Sequence, residues 1–540
     1  MRLKNSFLLS ALIVLVLCQA ALAAGPARNV IVLIADGTAA EQYTLARWYK
    51  GAPLAQDAIL TGMVRTFIAD SVVADSAPAG SAYATGVRTS DKLISVGPKA
   101  TVLTGQSVPP EALRFRPLAS VLEGARLQGR ATGIVSTSRV THATPAAFLA
   151  HVPSRAMETE IMEQAVHQGV DVVLGGGRGY LTPKDAGGSR KDGRDLVPTL
   201  RARGYELPTK ASELASAKGP RIFGLFAKSH MAPDIDRSVL AVDEPSLEQM
   251  TAKAIAVLTK NPKGFFLMVE GSQIDWADHA NDPAHLISDL MSFDRAVQTA
   301  LAYAQKRKDT LVVVVSDHNT GGMSIGNVRT NSTYSQMSLE SLLEPLRRMH
   351  VSGEALWKGL GQEPTPEKVQ RAVSQGWGME ISLDEARKVL EVAGARKTDP
   401  YYALGEVLCP GHTVLGWTTH GHTGGDVPLF AFGPGSPKGL LSGPELGQAT
   451  ARALGIDLAA LNRRLFVDAA EAFPGQTSFR DGVLRIEHKG RLAELPANED
   501  ILRLDGREIR LEGLVVHAPD TGRTYIPQQA VRRIKGLAGK

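Results

Sequence analysis

Two stretches of this chain share one design: Asn29-Val-Ile-Val-Leu-Ile-Ala-Asp36-Gly37 and Leu311-Val-Val-Val-Val-Ser-Asp317-His318 are unbroken apolar runs that close on acidic or imidazole side chains. A run without polar alternation must be covered on both faces, which is the situation of a strand in a parallel sheet wrapped by helices. Gly264-Phe-Phe-Leu-Met-Val-Glu270 and Gly133-Ile-Val-Ser-Thr137 repeat the design. Open α/β sheets collect their ligands at the C-terminal edge of the strands, so the polar residues that close these runs are candidates for a single site. Helical patterns such as Pro117–Gln128 and Ser246–Thr259 lie between the runs. The expected fold is therefore α/β, a doubly wound, mostly parallel sheet with helices on both faces.

Residues 325–408 break this rhythm with charge-rich helical segments (Ser338–Met349, Pro366–Ser374, Ser382–Ala393) and predict an inserted helical subdomain. After about Phe466, Gly482-Val-Leu-Arg-Ile-Glu-His, Ile501-Leu-Arg-Leu and Ile509-Arg-Leu alternate apolar with polar between Asp-Gly turns. They predict a small β-rich C-terminal module over 466–540, following a main domain over 25–465. Residues 1–24, with Arg2 and Lys4 ahead of the apolar stretch Phe7–Leu17 and Ala21-Leu-Ala-Ala24 behind it, have the layout of a cleavable export signal. That stretch is short for a bilayer span and no later run approaches one, so an exported chain, periplasmic or extracellular and without a membrane span, is expected. Cys18 would leave with the signal and Cys409 would remain alone, so no intrachain disulfide supports the fold. The formal charge of +5 includes Arg2 and Lys4, and no Lys/Arg run is interleaved with aromatics. Nucleic-acid binding is not expected.

The residues that close the strands form a coherent chemical set: Asp36, Glu270, Asp275, His279, Asp317 and His318, with His422 further on. All offer carboxylate oxygen or imidazole nitrogen. A helix beginning after Glu270 would bring Asp275 and His279 to one face at i, i+4, a spacing that can grip one metal. Any one of these residues alone reads as an ordinary satisfied polar group; three clusters together point to metal. Asp75-Ser76-Ala-Pro-Ala-Gly80 is small-residue rich, as needed where backbone approaches an anion at a helix start. Ser76 there is either a plain helix cap or a nucleophile. No histidine lies near it in sequence, so a nucleophilic Ser76 would have to be activated by metal. Thr144 offers a hydroxyl suited to magnesium, and Arg155 is either a surface ion-pair residue or a fork for two phosphate oxygens.

These segments, with His142-Ala-Thr144-Pro145, His151 to Arg155 and His422-Thr-Gly-Gly-Asp426-Val427, occur in an order that resembles the alkaline phosphatases over roughly residues 28–460. The resemblance implies a first zinc bound by Asp275, His279 and His422, and a second by Asp36, Asp317 and His318. It also implies Ser76 as nucleophile and metal contact, a magnesium held by Asp36, Thr144 and Glu270, and Arg155 as the phosphate clamp. Two positions depart from the best-known bacterial pattern: His142 stands where that pattern has Asp, and Trp276 where it has Lys. His142 is accordingly expected behind the third metal, whose identity it puts in question. His412 and His420 compete with His422, but only His422 precedes the Gly-Gly-Asp-Val run and an apolar strand. Asp520-Thr-Gly-Arg523-Thr-Tyr525 weakly resembles the stalk modules typified by the N-terminal domain of copper amine oxidases, which suggests attachment or oligomer contact and no copper chemistry.

The resemblance thus implies a secreted phosphomonoesterase working through a phosphoserine with two Zn2+ and one Mg2+. Small phosphate monoesters are the expected substrates, and a homodimer and an envelope or surface contact of the C-terminal module are the expected protein partnerships. Ser76-Ala-Pro-Ala-Gly80 carries Gly80 where a sulfatase modification motif requires Arg, which argues against a sulfatase. A phosphodiesterase on the same scaffold stays open. So does a surface binding protein with an inactive phosphatase domain, although every expected ligand position is filled.

Overall fold

The computed structural model describes residues 26–537; the expected export signal lies outside them. Nine strands form the central sheet: β1 (Asn29–Ala35), β2 (Leu60–Arg65), β3 (Ala131–Arg139), β4 (Val172–Gly176), β5 (Ile222–Leu225), β6 (Phe265–Gly271), β7 (Thr310–Val315), β8 (Val427–Phe432) and β9 (Gly439–Ser442). Their order is β9-β2-β8-β7-β1-β6-β3-β4-β5, and β8 alone runs antiparallel to its neighbours. This is the doubly wound, mostly parallel sheet that the apolar runs predict. Along β1 the side chains alternate between two separate cores, Ile31 and Leu33 entering one and Val30, Val32 and Ile34 the other. Both faces are therefore dry, and a polar residue inside the run would be buried without a partner.

Five helices matter for the site: α1 (Ala40–Lys50), α2 (Ser76–Thr85), α3 (Ala143–Leu149), α4 (Gln273–His279) and α5 (Pro283–Arg307). Every residue of α2 is buried. Its small side chains let it lie directly on α3: a Cβ at Gly80 would come within 3.3 Å of both Thr144 Cα and Ala147 Cβ. Glycine at this position fixes the distance between the Ser76 helix and the Thr144 helix.

The helices between Leu339 and His412 pack Leu342, Val373, Trp377 and Val389 into the same core that lies under one face of the sheet. They share the main core, and their last helix runs to His412. At the C-terminus, β10 (Thr477–Arg480), β11 (Val483–His488), β12 (Arg491–Pro496), β13 (Ile501–Leu504) and β14 (Arg507–Arg510) form an antiparallel meander. The short strands Val467–Asp468, Val516–Ala518 and Arg523–Ile526 form a second sheet. This region is fastened to the main domain through Leu461, Leu465, Phe466, Leu514 and Tyr525, which bury Ala119 among them. Among the described residues, no helix is long and apolar enough to cross a membrane.

Candidate metal centre

β1, β6 and β7 are neighbours in the sheet, so Asp36, Glu270 and Asp317-His318 emerge side by side from their C-terminal ends. The next segments bring in the rest: α4 carries Asp275 and His279, α3 carries Thr144, and α2 opens at Ser76. Gly37, at φ 71°, turns the chain immediately after Asp36. A Cβ there would stand 2.9 Å from both Asp275 Oδ1 and Thr320 Oγ1, so this turn admits glycine alone.

Three groups of converging ligand atoms result, each with its atoms within 4.8 Å of one another: Asp275, His279 and His422; Asp36, Asp275 and His318; and Asp36, His142 and Glu270. His318 Nε2 also lies 3.4 Å from Asp317 Oδ2 and 3.5 Å from Asp36 Oδ1. Ser76 Oγ is 3.1 Å from the same nitrogen. The histidine absent from the neighbourhood of Ser76 in sequence is thus supplied in space by His318. His422 Nδ1 faces the Ala74 carbonyl at 2.8 Å, which aims Nε2 at Asp275 Oδ1, 3.7 Å away. His412 instead pairs with Glu385 at 2.8 Å, and His420 faces Glu406 and Arg396, so neither competitor enters the cluster.

Arg155 is not a free surface residue. Its guanidinium holds Asp75, the residue before Ser76, and lies 2.7 Å from His142 Nε2. The His142 ring packs on Trp276 at 5.3 Å and on His230 at 5.6 Å. His230 and Thr320 escape the sequence reading, because neither closes an apolar run or stands in a ligand-like spacing. Thr320 donates to Asp275 Oδ1 at 2.6 Å and lies 3.2 Å from His318 Nδ1.

The electrostatics of this cluster are unbalanced without a cation. Burial, then Asp317, Asp275 and Glu270, raise the Asp36 carboxyl well above the ordinary range. Burial followed by Asp275 pushes Asp317 to about 7. Burial also raises Glu270, against the hydroxyls of Ser272 and Ser136. For Asp275 burial is overcome by His279, then His422 and His318, and its pKa falls well below the ordinary range; His279 rises to about 9 against burial, through Asp275. Burial and the His422 ring hold His318 neutral.

The donor set passes a direct test of fit for metal. Both oxygens of Asp36, Oδ2 of Asp317, Oε1 of Glu270, Oγ1 of Thr144 and Nδ1 of His142 are buried without a hydrogen-bond partner. Thr320 spends its proton on Asp275, so it can only accept from His318 Nδ1–H. His318 Nε2 then turns a lone pair toward Asp317 Oδ2 and Asp36 Oδ1, a convergence of acceptors that a cation between them would satisfy. His142 Nδ1 lies close to Asp36 and Glu270, but Nε2 accepts from Arg155, so in the neutral ring Nδ1 carries the proton and His142 stands behind the third site, as expected, and not among its ligands.

A buried serine at a helix start, a carboxylate–imidazole cluster at the strand ends and an arginine fork beside it belong together in an α/β hydrolase that handles phosphate esters. The family model for alkaline phosphatase matches residues 27–453. "Alkaline phosphatase 4" of Bacillus subtilis (strain 168) is 34% identical over 440 residues, covering 76% of this chain and 85% of that protein. The solved Thermus thermophilus alkaline phosphatase superposes with a TM-score of 0.71 at 29% identity, covering 80% of this chain and 92% of the other. A solved TAB5 alkaline phosphatase with one histidine replaced by aspartate, "with Mg bound in the M3 site", is 26% identical with a TM-score of 0.56, covering 80% of this chain and 99% of the other. The chain belongs to the alkaline phosphatase family, and it is a phosphatase.

Proposed function

We propose that this phosphatase is exported and hydrolyses phosphate monoesters through a phosphoserine at Ser76. Asp275, His279 and His422 would hold one zinc, and Asp36, Asp317 and His318 a second, beside Ser76. A third cation, magnesium, would rest on Asp36, Thr144 and Glu270, with His142 completing its surroundings. When bound, these cations neutralise the carboxylate cluster and stabilise charge on the attacking and leaving oxygens.

The chain's own residues then set the geometry. Ser76 opens α2, where the helix dipole and free N–H groups favour an anion, and its Oγ is the atom that attacks phosphorus. As the Oγ proton passes to solvent, the Oγ bond to phosphorus forms and the ester oxygen departs in line on the opposite side, in this reading toward Asp275, His279 and His422, and takes a proton from water. Arg155 offers two N–H groups to the phosphate oxygens, held in place by Asp75 and His142. Water then cleaves the phosphoserine from the vacated side and regenerates Ser76.

One observation carries this reading: the buried oxygens of Asp36, Asp317, Glu270 and Thr144 around Ser76 that have no partner in the protein. The magnesium of the TAB5 variant supports a third cation site in this setting. Elemental analysis of the purified protein, p-nitrophenyl phosphate turnover and mass-spectrometric capture of phosphorylated Ser76 in acid test it together. Turnover with no phosphate on Ser76 under trapping conditions would remove the covalent step.

A further inference from the structure

Beside the centre, a cleft of about 570 Å³ separates the 229–244 loop and Trp276 from the inserted helices, where Glu354, Lys358, Tyr401 and Tyr402 line it. We propose that this cleft is the subsite for the alcohol half of the ester, and that it selects aromatic or heteroaromatic alcohols. The proposal rests on the monoesterase reading above, because that reading fixes the side on which the alcohol leaves.

Two connections tie the walls of the cleft to that side. Trp276 follows Asp275 directly on α4, and its ring meets His142, the partner of Arg155. The opposite wall is tied to His279: Tyr402 stacks on His420 at 5.4 Å and 21°, and His420 Nδ1 faces the His279 carbonyl at 2.7 Å. One wall is thus a single residue from Asp275, and the other a single ring from His279. A group attached to the departing oxygen enters between them.

Its lining suits a flat apolar guest. Tyr401 and Tyr402 stand nearly perpendicular at 4.9 Å on one wall, and Trp276 and His230 pack at 4.0 Å on the other. Face-and-edge pairs of this kind are the arrangement an inserted ring extends. Leu240 lies on the rim 48% exposed, an apolar side chain with no cover of its own. The ion pair between Glu354 and Lys358, 2.5 Å apart, keeps the mouth polar. Specificity is then the role of the inserted helices, which supply no candidate metal ligand yet reach the edge of the site.

The test compares 2-phenylethyl phosphate with ethyl phosphate, whose alcohols are of similar acidity, so that chemistry is matched and only the ring differs. Wild type is expected to favour the phenylethyl ester by about tenfold in kcat/KM, the scale of burying one apolar group in a fitted pocket. Tyr402→Ala should lower that ratio at least threefold, and Leu240→Gln on the exposed rim about twofold. Leu240→Gln keeps the test alive if the tyrosine variant fails to fold. Active wild type with equal kcat/KM for both esters would overturn the subsite and leave the monoesterase reading intact, as would variants that lose both activities in proportion. Turnover of neither ester would overturn the monoesterase reading and this one with it.

Discussion

Two regions of this molecule bury charge, and they do so in opposite ways. At the interface of the C-terminal meander, Asp500 is taken on both oxygens: Arg203 donates to Oδ2 at 3.1 Å and also to Oδ1, and His167 Nδ1 stands 2.9 Å from Oδ1. At the strand ends of the central sheet, Asp36, Asp317 and Glu270 keep oxygens that nothing in the protein meets. A satisfied buried network specifies how two pieces of chain fit; an unsatisfied one of like charges is tolerated only where something outside the chain completes it. Burial of charge alone therefore does not mark function. Several carboxylates that converge without partners do.

The comparison breaks most visibly at Ser76. Ser76→Ala should lower turnover of a monoester by about 10³-fold or more, the scale on which removal of a nucleophile acts. Zinc and magnesium content, measured by elemental analysis, should stay near wild type, since the carboxylates and imidazoles remain. Parallel loss of metal would mean that Ser76 helps build the centre and is not simply served by it.

The satisfied region should fail by unfolding. Asp500→Ala strands the guanidinium of Arg203, whose side chain is 4% exposed, and breaking a buried pair on one side costs about 3–5 kcal/mol. Chemical denaturation reads this, with turnover per folded molecule expected to persist. A loss below about 1 kcal/mol would fit the detachable stalk that the C-terminal sequence pattern suggests better than an integrated sheet.

Much of the centre was legible because parallel strands force their polar ends together. Asp36, Glu270, Asp317 and His318 each close an apolar run, and adjacency in the sheet does the rest. Asp275 and His279 were legible from helical spacing. His230 and Thr320 were not, because a residue that braces a ligand needs only to be near it in space. The Asp500 network was illegible for the same reason: His167, Arg203 and Asp500 lie on three segments with no shared motif. The alternation of the C-terminal strands was plain, but nothing in it shows that Leu514 and Tyr525 turn inward to bury Ala119.

The two regions should also separate by pH. With metal stripped, Asp317 keeps its proton up to about pH 7, whereas the unfolded chain releases it near pH 4. The folded state then binds more protons over that window, so stability falls as pH climbs from about 4 to about 7. Asp500, held at about 2 against burial by His167 and Arg203, acts with the opposite sign: its stabilisation is full above about pH 4 and is lost as pH falls toward 2. That low-pH limb should amount to about 2 kcal/mol and survive metal loading, while the high-pH limb should vanish when zinc is restored. Urea denaturation of stripped and reloaded protein across pH checks both limbs. A high-pH limb unchanged by zinc would place its origin outside the strand-end carboxylates.

The smallest effect concerns the boundary of the unsatisfied set. His142 joins Asp36 and Glu270 with an unpartnered Nδ1, while its Nε2 serves Arg155. Magnesium takes oxygen ligands in a near-ideal octahedron, and a ring whose Nε2 accepts from Arg155 presents only an Nδ1–H, so water must fill the place that a carboxylate would take. Burial, then Arg155 and His230, keep the ring neutral, so it adds no negative charge either. His142→Asp supplies both oxygen and charge, and should tighten magnesium by about tenfold, or about 1.4 kcal/mol, without abolishing turnover. The same change gives Arg155 a second carboxylate besides Asp75, so KM for the monoester should rise as the fork is drawn from the phosphate. Magnesium titration into stripped, zinc-reloaded protein, followed by calorimetry and by KM, decides it. Identical binding curves for wild type and variant would exclude His142 from the third site and leave its role to Arg155 alone.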